Sequence, residues 1–98
     1  MATYIVGLRR SEPRDTAWGE EYRPRTDALI EKHGGKMLIR GSSIRPLEGD
    51  GRPPLSVVII EFPSVEQAEA WHNDPDYAPL KNLRQANIDM DVLLVDHV

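Results

Sequence analysis

The segment Leu55–Leu83 (LSVVIIEFPSVEQAEAWHNDPDYAPLKNL) constrains the fold of this chain more than any other. It opens with Val57–Ile60, and because successive strand residues point to opposite faces, this strand is apolar on both faces of its sheet. Ser64 and Gln67 then match the capping box that begins a helix. Helices of the same chain can cover one face of the sheet, so the other face needs a different cover.

The helix that follows Ser64 is interrupted by Asp74-Pro75. A proline is favourable at the first position of a helix, so the pattern predicts a break and a new helical segment that begins at Pro75. Tyr77, Leu80 and Arg84 share one face of that segment, and we expect Asn87 to end it.

The remaining elements follow from periodicity and turn residues. Asp15 is a candidate N-cap for the first helix, in which Pro24 should introduce a kink. We expect strands at Thr3–Leu8, Lys36–Leu47, Leu55–Phe62 and Ile88–Val95, the second of them bent at Gly41-Ser42-Ser43. The first helix should end at Gly34-Gly35. One face of this helix should carry Trp18, Tyr22, Thr26, Leu29 or Ile30, and His33.

The element order is therefore βαββαβ. Right-handed crossovers and a hairpin between the second and third strands give a four-stranded antiparallel sheet with the helices on one face. This is the ferredoxin-like α+β arrangement, and it forms a single domain over residues 1–98.

Composition excludes several classes of protein. The 98 residues carry a net charge of −4 and no cysteine. The charge argues against nucleic-acid binding, which needs a basic face, and the lack of cysteine excludes disulfides and thiolate metal sites. No apolar run reaches the ~20 residues that span a bilayer, and the N-terminus lacks the features of a signal peptide. We expect a cytoplasmic protein.

Strands 1, 3 and 4 are apolar on both faces, at Tyr4–Val6, Val57–Ile60 and Val92–Val95. An apolar surface across three strands exceeds the few hundred Å² that monomers usually expose. A second copy packed sheet against sheet would cover it, so the sequence predicts a homodimer.

Motifs along nearly the whole chain resemble the domain-of-unknown-function 1330 family of the dimeric α+β barrel superfamily. They are Tyr22, Gly34-Gly35, Arg40-Gly41, Leu47-Glu48-Gly49, Val58–Ser64, Ala68, Ala70-Trp71, Asp74–Tyr77, Leu80 and Leu83-Arg84. The resemblance implies a small homodimer whose activity is mostly unassigned. The wider superfamily includes cofactor-free monooxygenases, muconolactone-type isomerases and haem-degrading enzymes, which typically place a pocket between the helices and the sheet of each protomer.

Arg40 and Glu61 are the first candidate site residues. If the hairpin centres near Gly51, the two lie side by side across strands 2 and 3. Arg40 could then hold a carboxylate or enolate, and Glu61 could act as a base. The alternative is a structural ion pair that stabilises the hairpin.

The second candidate group lies on the helices that would cover a pocket. Trp71 is either a core anchor or a pocket wall, and His72 is either a surface residue or a general base at the pocket mouth. Tyr22 and Tyr77 could donate hydrogen bonds to a substrate oxygen. Arg84 is either an ion-pair partner at a helix end or a ligand for carboxylate or phosphate.

No metal or cofactor site is predicted. His33, His72 and His97 are far apart in sequence and form no ligand motif. A haem-degrading enzyme would need a histidine late in the second helical region, where this chain has Lys81 and Arg84. No nucleophile elbow, phosphate-binding loop or dinucleotide fingerprint is present.

Two hypotheses remain. The first is a cofactor-independent enzyme that acts on a small anionic or enolisable molecule by proton transfer, isomerisation or monooxygenation. Arg40 would hold charge, Glu61 or His72 would move protons, and Tyr22 and Tyr77 would orient the substrate. The second is a non-catalytic dimer that binds a metabolite or a partner. An enclosed cavity of roughly 300 Å³ or more, with Arg40 and a base pointing inward, would favour the enzyme.

Overall fold

The computed structural model describes residues 2–96 and has the predicted element order, with the second helical region divided in two. The elements are β1 (Thr3–Arg9), α1 (Trp18–Lys32), β2 (Lys36–Gly41), β3 (Ser56–Phe62), α2 (Val65–His72), α3 (Ala78–Asn87) and β4 (Met90–Asp96). The four strands form one antiparallel sheet in the order β2-β3-β1-β4. This is the ferredoxin-like topology that the sequence predicts. Within residues 2–96, no helix has the length and apolar character that crossing a membrane requires.

The core lies between one face of the sheet and the helices. Ile5 and Ile60, which are register partners in β1 and β3, face Ile30 of α1 and Trp71 of α2 across this layer. Phe62, Ala68 and Tyr77 are fully buried. Burial of each large apolar side chain contributes roughly 1.5–3 kcal/mol, so this layer supplies most of the stability of a single protomer.

Within residues 2–96, no helix or loop covers the opposite face of the sheet. Strand register places Ile39, Ile59, Val6 and Leu93 in one row across all four strands. Ile39 is 49% exposed and Leu93 is 48% exposed. We name this apolar row, together with its neighbours Leu8, Val57 and Val95, the open face. The molecule is accordingly a thin slab of 36 × 35 × 16 Å.

Two predicted helix signals have the expected local structure. The Ser64 hydroxyl accepts a hydrogen bond from the Gln67 backbone N–H at 3.2 Å, so Ser64 caps α2. Asn87 ends α3, and Tyr77, Leu80 and Arg84 lie on the buried side of this region. The Asp15 prediction needs correction, because α1 begins at Trp18 and the Asp15 carboxylate accepts from Ala17 N–H in the turn before it. The helix continues through Pro24.

The segment after Asp74 also differs from the prediction. Pro75 does not begin a helix, because Asp74 organises a turn in which its side chain accepts from Asp76 N–H and its carbonyl from Tyr77 N–H, each at 2.9 Å. The third helix begins at Ala78, with Pro79 in its first turn.

The second strand is shorter than predicted. It ends at Gly41, and residues 42–55 form a long connection in which Leu47 is 90% exposed. Gly41 pairs with Val57, so the connection centres near Gly49, whose φ is +100°, rather than near Gly51. The register shift lies earlier, between Met37 and Ile39, where Leu38 bulges from the strand.

Candidate functional site

A cavity of about 280 Å³ lies between the helices and the covered face of the sheet. Its floor includes Ile5, Gly7 and Val58, and its walls include Trp18 and Ile30. A Cβ atom at Gly7 would collide with the ε-methyl group of Met90, which lies across this glycine. Because Gly7 has no side chain, the cavity floor has room for the Met90 methyl group. The volume is close to the lower end of the roughly 300–1,000 Å³ range of small-molecule sites.

Arginines give the cavity its charge. Arg9, Arg23, Arg40 and Arg84 all line it, and among residues 2–96 no Asp, Glu or His does so. Of these four arginines, Arg40 alone pairs with a carboxylate within residues 2–96. Its guanidinium donates to Asp27 at 2.7 Å. A chain with a net charge of −4 thus gathers excess positive charge at one cavity. Such a cavity attracts small anions.

Four buried side-chain atoms within residues 2–96 have no hydrogen-bond partner, and all four belong to cavity-lining residues. They are Arg9 Nε, Thr26 Oγ1, Trp71 Nε1 and Arg84 Nε. Arg84 is 6% exposed and Trp71 is 2% exposed, so bulk water does not satisfy them as it would at a surface. Unpaired buried polar groups usually cost about 1–3 kcal/mol each, and folded proteins keep few of them. Because all four residues line the same cavity, this cavity is the candidate functional site.

Two tyrosines from different helical regions meet beside the cavity. The Tyr22 and Tyr77 hydroxyl oxygens are 2.6 Å apart, and Tyr22 lies on the cavity wall whereas Tyr77 is not among the lining residues. Tyr77 is fully buried, and this burial, followed by the neighbouring Tyr22, raises the pKa of its hydroxyl far above the ordinary value. Tyr77 therefore keeps its proton and can act as a hydrogen-bond donor.

Trp71 serves both roles that the sequence left open. Its ring lies 5.7 Å from that of Phe62 and 4.7 Å from that of Tyr77, as expected of a core anchor. It also lines the cavity, with its indole N–H unpaired. His72 lies 6.0 Å from the Trp71 ring but does not line the cavity. Burial lowers the pKa of His72, with smaller contributions from Lys81 and Arg84.

The predicted pairing of Arg40 with Glu61 is wrong. Arg40 pairs with Val58 on the cavity face, and Glu61 pairs with Lys36 on the opposite face of the sheet. The connection centres near Gly49, and Leu38 adds a bulge, so the register between β2 and β3 differs from the one expected. A register shift of one residue moves side chains to the opposite face of the sheet. Glu61 instead accepts a hydrogen bond from the Tyr4 hydroxyl at 3.4 Å on the open face.

A second cluster fixes the turn that precedes Tyr77. The buried Asp74 carboxylate lies 2.7 Å from His33 Nε2 and accepts from Lys32 Nζ at 3.0 Å. The hydrogen bond with His33, followed by the Asp76 backbone and Lys32, holds the pKa of Asp74 well below its usual range. His33, which directly follows α1, thus ties the end of this helix to the turn that positions Tyr77. His97 lies outside the described residues.

We expect Asp74→Asn to lower the melting temperature by several degrees at neutral pH. Because the pKa of Asp74 is lowered on folding, its ionised form stabilises the protein above the ordinary pKa of about 4, and this contribution is lost as the pH falls below it. The difference in melting temperature between the wild type and the variant should therefore shrink from pH 7 towards pH 3. Asp76→Asn, at an exposed neighbour, is the control and should show no such convergence. A constant difference across this range would contradict the role of Asp74.

The cavity includes four of the seven residues that sequence reasoning selected, namely Tyr22, Arg40, Trp71 and Arg84. Tyr77, Glu61 and His72 do not line the cavity. Tyr77 contacts a lining residue, because its hydroxyl lies against that of Tyr22. Sequence reasoning missed Arg9, Arg23 and Thr26. The signal for Arg9 was available, because it alternates with Ile5 and Gly7 in β1 and so faces the same side.

This architecture defines a class of protein, the ferredoxin-like α+β proteins, here with an arginine-lined cavity between the helices and the sheet. The chain belongs to the family described as domain of unknown function DUF1330, whose family model matches residues 2–98. A comparison with proteins of curated function finds no significant match.

Solved structures support the fold. A protein of unknown function from Rhodopseudomonas palustris is 24% identical, with a TM-score of 0.73 over 99% of this chain and 82% of that chain. A dimeric ferredoxin-like protein of unknown function from Jannaschia sp. CCS1 is 14% identical, with a TM-score of 0.73 over 99% of this chain and 100% of that chain. SnoaB, a cofactor-independent oxygenase from Streptomyces nogalater, is 14% identical, with a TM-score of 0.63 over 99% of this chain and 92% of that chain.

Proposed function

We propose that this protein is a homodimer that binds a small organic anion in the cavity between the helices and the sheet of each protomer. The observation that carries this proposal is that four of the residues lining that cavity each hold a buried polar atom without a hydrogen-bond partner. Three of them are N–H groups, which can only donate, so the ligand must present acceptors. The guanidinium groups of Arg9 and Arg84 favour a negatively charged acceptor such as a carboxylate.

The rest of the lining indicates what else the ligand carries. Apolar and aromatic side chains make up most of the walls, namely Ile5, Trp18, Ile30, Met37, Val58, Ile60, Trp71, Ile88, Met90 and Val92. A site of this composition suits an apolar or planar body with one end charged. Arg40 and Arg23 would add attraction without full burial, since both are exposed.

The dimer is supported by the open face and by the solved neighbours. Those from Jannaschia and from Bacteroides fragilis are described as dimeric ferredoxin-like proteins. Isolated antiparallel sheets leave one face in water when that face is polar. The open face of this sheet is apolar, with Val6, Ile59 and Leu93 at its centre. A second copy of the chain would bury this row.

A cofactor-independent enzyme is the second candidate. It is favoured by the fold likeness to the oxygenase SnoaB and by the presence of Tyr22 among the residues that line the cavity. Glu61 and His72 lose their proposed part in proton transfer, because neither lines the cavity of its own protomer. Tyr22 would then be the candidate among the lining residues for proton transfer to or from a ligand.

Benzoate should stabilise the protein, whereas its neutral isostere benzamide and the cation benzylamine should not. At a benzoate concentration of about 100 Kd, the expected gain is about 2.7 kcal/mol. For a chain of this length that corresponds to a rise in melting temperature of roughly 10–20 °C, measured at a fixed protein concentration. An equal rise with benzamide would contradict anion selectivity, and no response to any of the three would count against a ligand of this size.

A cavity-filling variant locates the binding. Gly7→Val adds a side chain to the cavity floor, where it displaces Met90, and leaves every arginine in place. It should abolish the benzoate response. Gly51→Val, at an exposed position with open space around it, should leave the response unchanged.

A further inference from the structure

The Tyr22–Tyr77 contact is the shortest polar contact beside the cavity, and it has a preferred direction. Tyr77 is fully buried, and within residues 2–96 its hydroxyl has no hydrogen-bond partner other than Tyr22. If Tyr22 were the donor, the Tyr77 hydrogen would lie without an acceptor in an apolar interior, at a cost of about 1–3 kcal/mol. If Tyr77 donates, no hydrogen is left unpaired inside the core. Tyr22, on the cavity wall, then has its own hydrogen free to donate into the cavity.

The surroundings of the pair favour negative charge in front of it. Lys81 Nζ lies 5.7 Å from the centre of the Tyr77 ring, and Arg84 contributes a buried positive charge. A hydroxyl that accepts one hydrogen bond becomes a better donor, because hydrogen bonds in a chain polarise one another. Tyr77 therefore acts on a ligand through Tyr22 and is a positioning residue.

We infer that the cavity is built for the ionised form of a weak oxygen acid, an enolate or a phenolate, and that Tyr22, held by Tyr77, donates to the charged oxygen. This inference rests on the proposed function and names its ligand class. Donors fixed in advance around a developing negative charge, in a site shielded from water, are the usual means of stabilising an enolate. No covalent step is involved. The acid loses its proton to solvent or buffer, and the site binds the resulting anion more tightly than the neutral acid.

The experiment uses para-nitrophenol, whose ionised form is yellow. Absorbance titration of the bound probe against pH measures its pKa in the cavity of the full-length wild type. We expect the pKa of the bound probe to fall by one unit or more, which means that the phenolate binds at least tenfold more tightly than the phenol. Tyr22→Phe should remove most of that preference, and Tyr77→Phe should reduce it several-fold.

Tyr4→Phe is the matched control. It removes a hydroxyl from the open face, where Tyr4 donates to Glu61, and it should leave the probe unaffected. Melting temperature and circular dichroism test that each variant folds. A merely structural role for Tyr77 would change stability without changing the pKa of the bound probe, and that result would overturn the inference.

A measurement on the wild type alone decides the question if a variant fails to fold. Across a series of substituted phenols, the affinity of the ionised form should rise with its basicity, because a more basic oxygen is a stronger hydrogen-bond acceptor. Affinity that is flat or falls with basicity would overturn the inference. Benzoate binding together with an unshifted para-nitrophenol would also overturn it while leaving the proposed function intact. Failure of both probes to bind would overturn the proposed function itself.

Discussion

Arg84→Met is expected to make the protein more stable and to weaken its binding of small organic anions. Arg84 is 6% exposed, its Nε has no partner, and no carboxylate within residues 2–96 pairs with it. A buried charge without a partner opposes folding, so its replacement by an apolar side chain should raise the free energy of unfolding, by up to the roughly 1–4 kcal/mol found when buried ion pairs are replaced in the same way. The same change removes the most deeply buried guanidinium of the cavity. Loss of a buried, charged hydrogen-bonding group at a binding site costs roughly 2–5 kcal/mol, so benzoate affinity should fall at least about thirtyfold.

Chemical denaturation and a benzoate titration measure the two effects on the same preparation. Arg25→Met is the matched control, because Arg25 is an exposed arginine on α1 that pairs with Glu21 in the same helix. It should change stability by less than about 0.5 kcal/mol and leave binding unchanged. If Arg84→Met proves strongly destabilising and benzoate affinity is retained, Arg84 is a structural residue and the assignment of the cavity fails.

Ile59→Lys should convert the protein from a dimer into a folded monomer. Ile59 lies at the centre of the open face, beside Val6 and Ile39. In a sheet-to-sheet dimer each copy would bury a lysine against apolar side chains, and an unpaired charge there is costly. In an isolated protomer the same lysine faces water, so the fold itself should persist. We expect the dissociation constant of the dimer to rise by at least about a hundredfold, a change of about 2.7 kcal/mol.

Sedimentation velocity over a range of protein concentrations measures this change. Ala70→Lys, at an exposed position on α2, adds the same charge on the helical side and should leave the dimer intact. A wild type that sediments as a well-folded single protomer at micromolar concentration would refute the proposed dimer directly.

The sequence predicted the fold well because its strongest signals are local. The apolar run Val57–Ile60, the Ser64 cap and the β-rich residues of the first strand each specify an element without help from the rest of the chain. The family resemblance predicted a pocket between the helices and the sheet, and the cavity lies there. Tyr22, Trp71 and Arg84 were chosen from their places on the helices, and Arg40 was chosen from its expected pairing with Glu61, although that pairing does not occur.

The parts that the sequence did not predict depend on register. Whether Arg40 and Glu61 share a face depends on the centre of a fourteen-residue connection and on one bulge at Leu38, and neither has a clear local signal. Pro75 favours the start of a helix, but the turn at Asp74 occupies the same residues, so α3 begins at Ala78. Arg9 was assigned, with Arg10 and Pro13, to the loop after the first strand, although the strand includes it.

Because side chains alternate along the two central strands, the residues that line the cavity are different from those that form the open face. In β1 the odd-numbered positions Ile5, Gly7 and Arg9 line the cavity, and the even-numbered ones belong to the uncovered surface. In β3 the parity is reversed, with Val58 and Ile60 at the cavity. Each set can therefore be redesigned, or can diverge between relatives, without altering the other. A protein built this way can change what it binds while keeping the way it assembles.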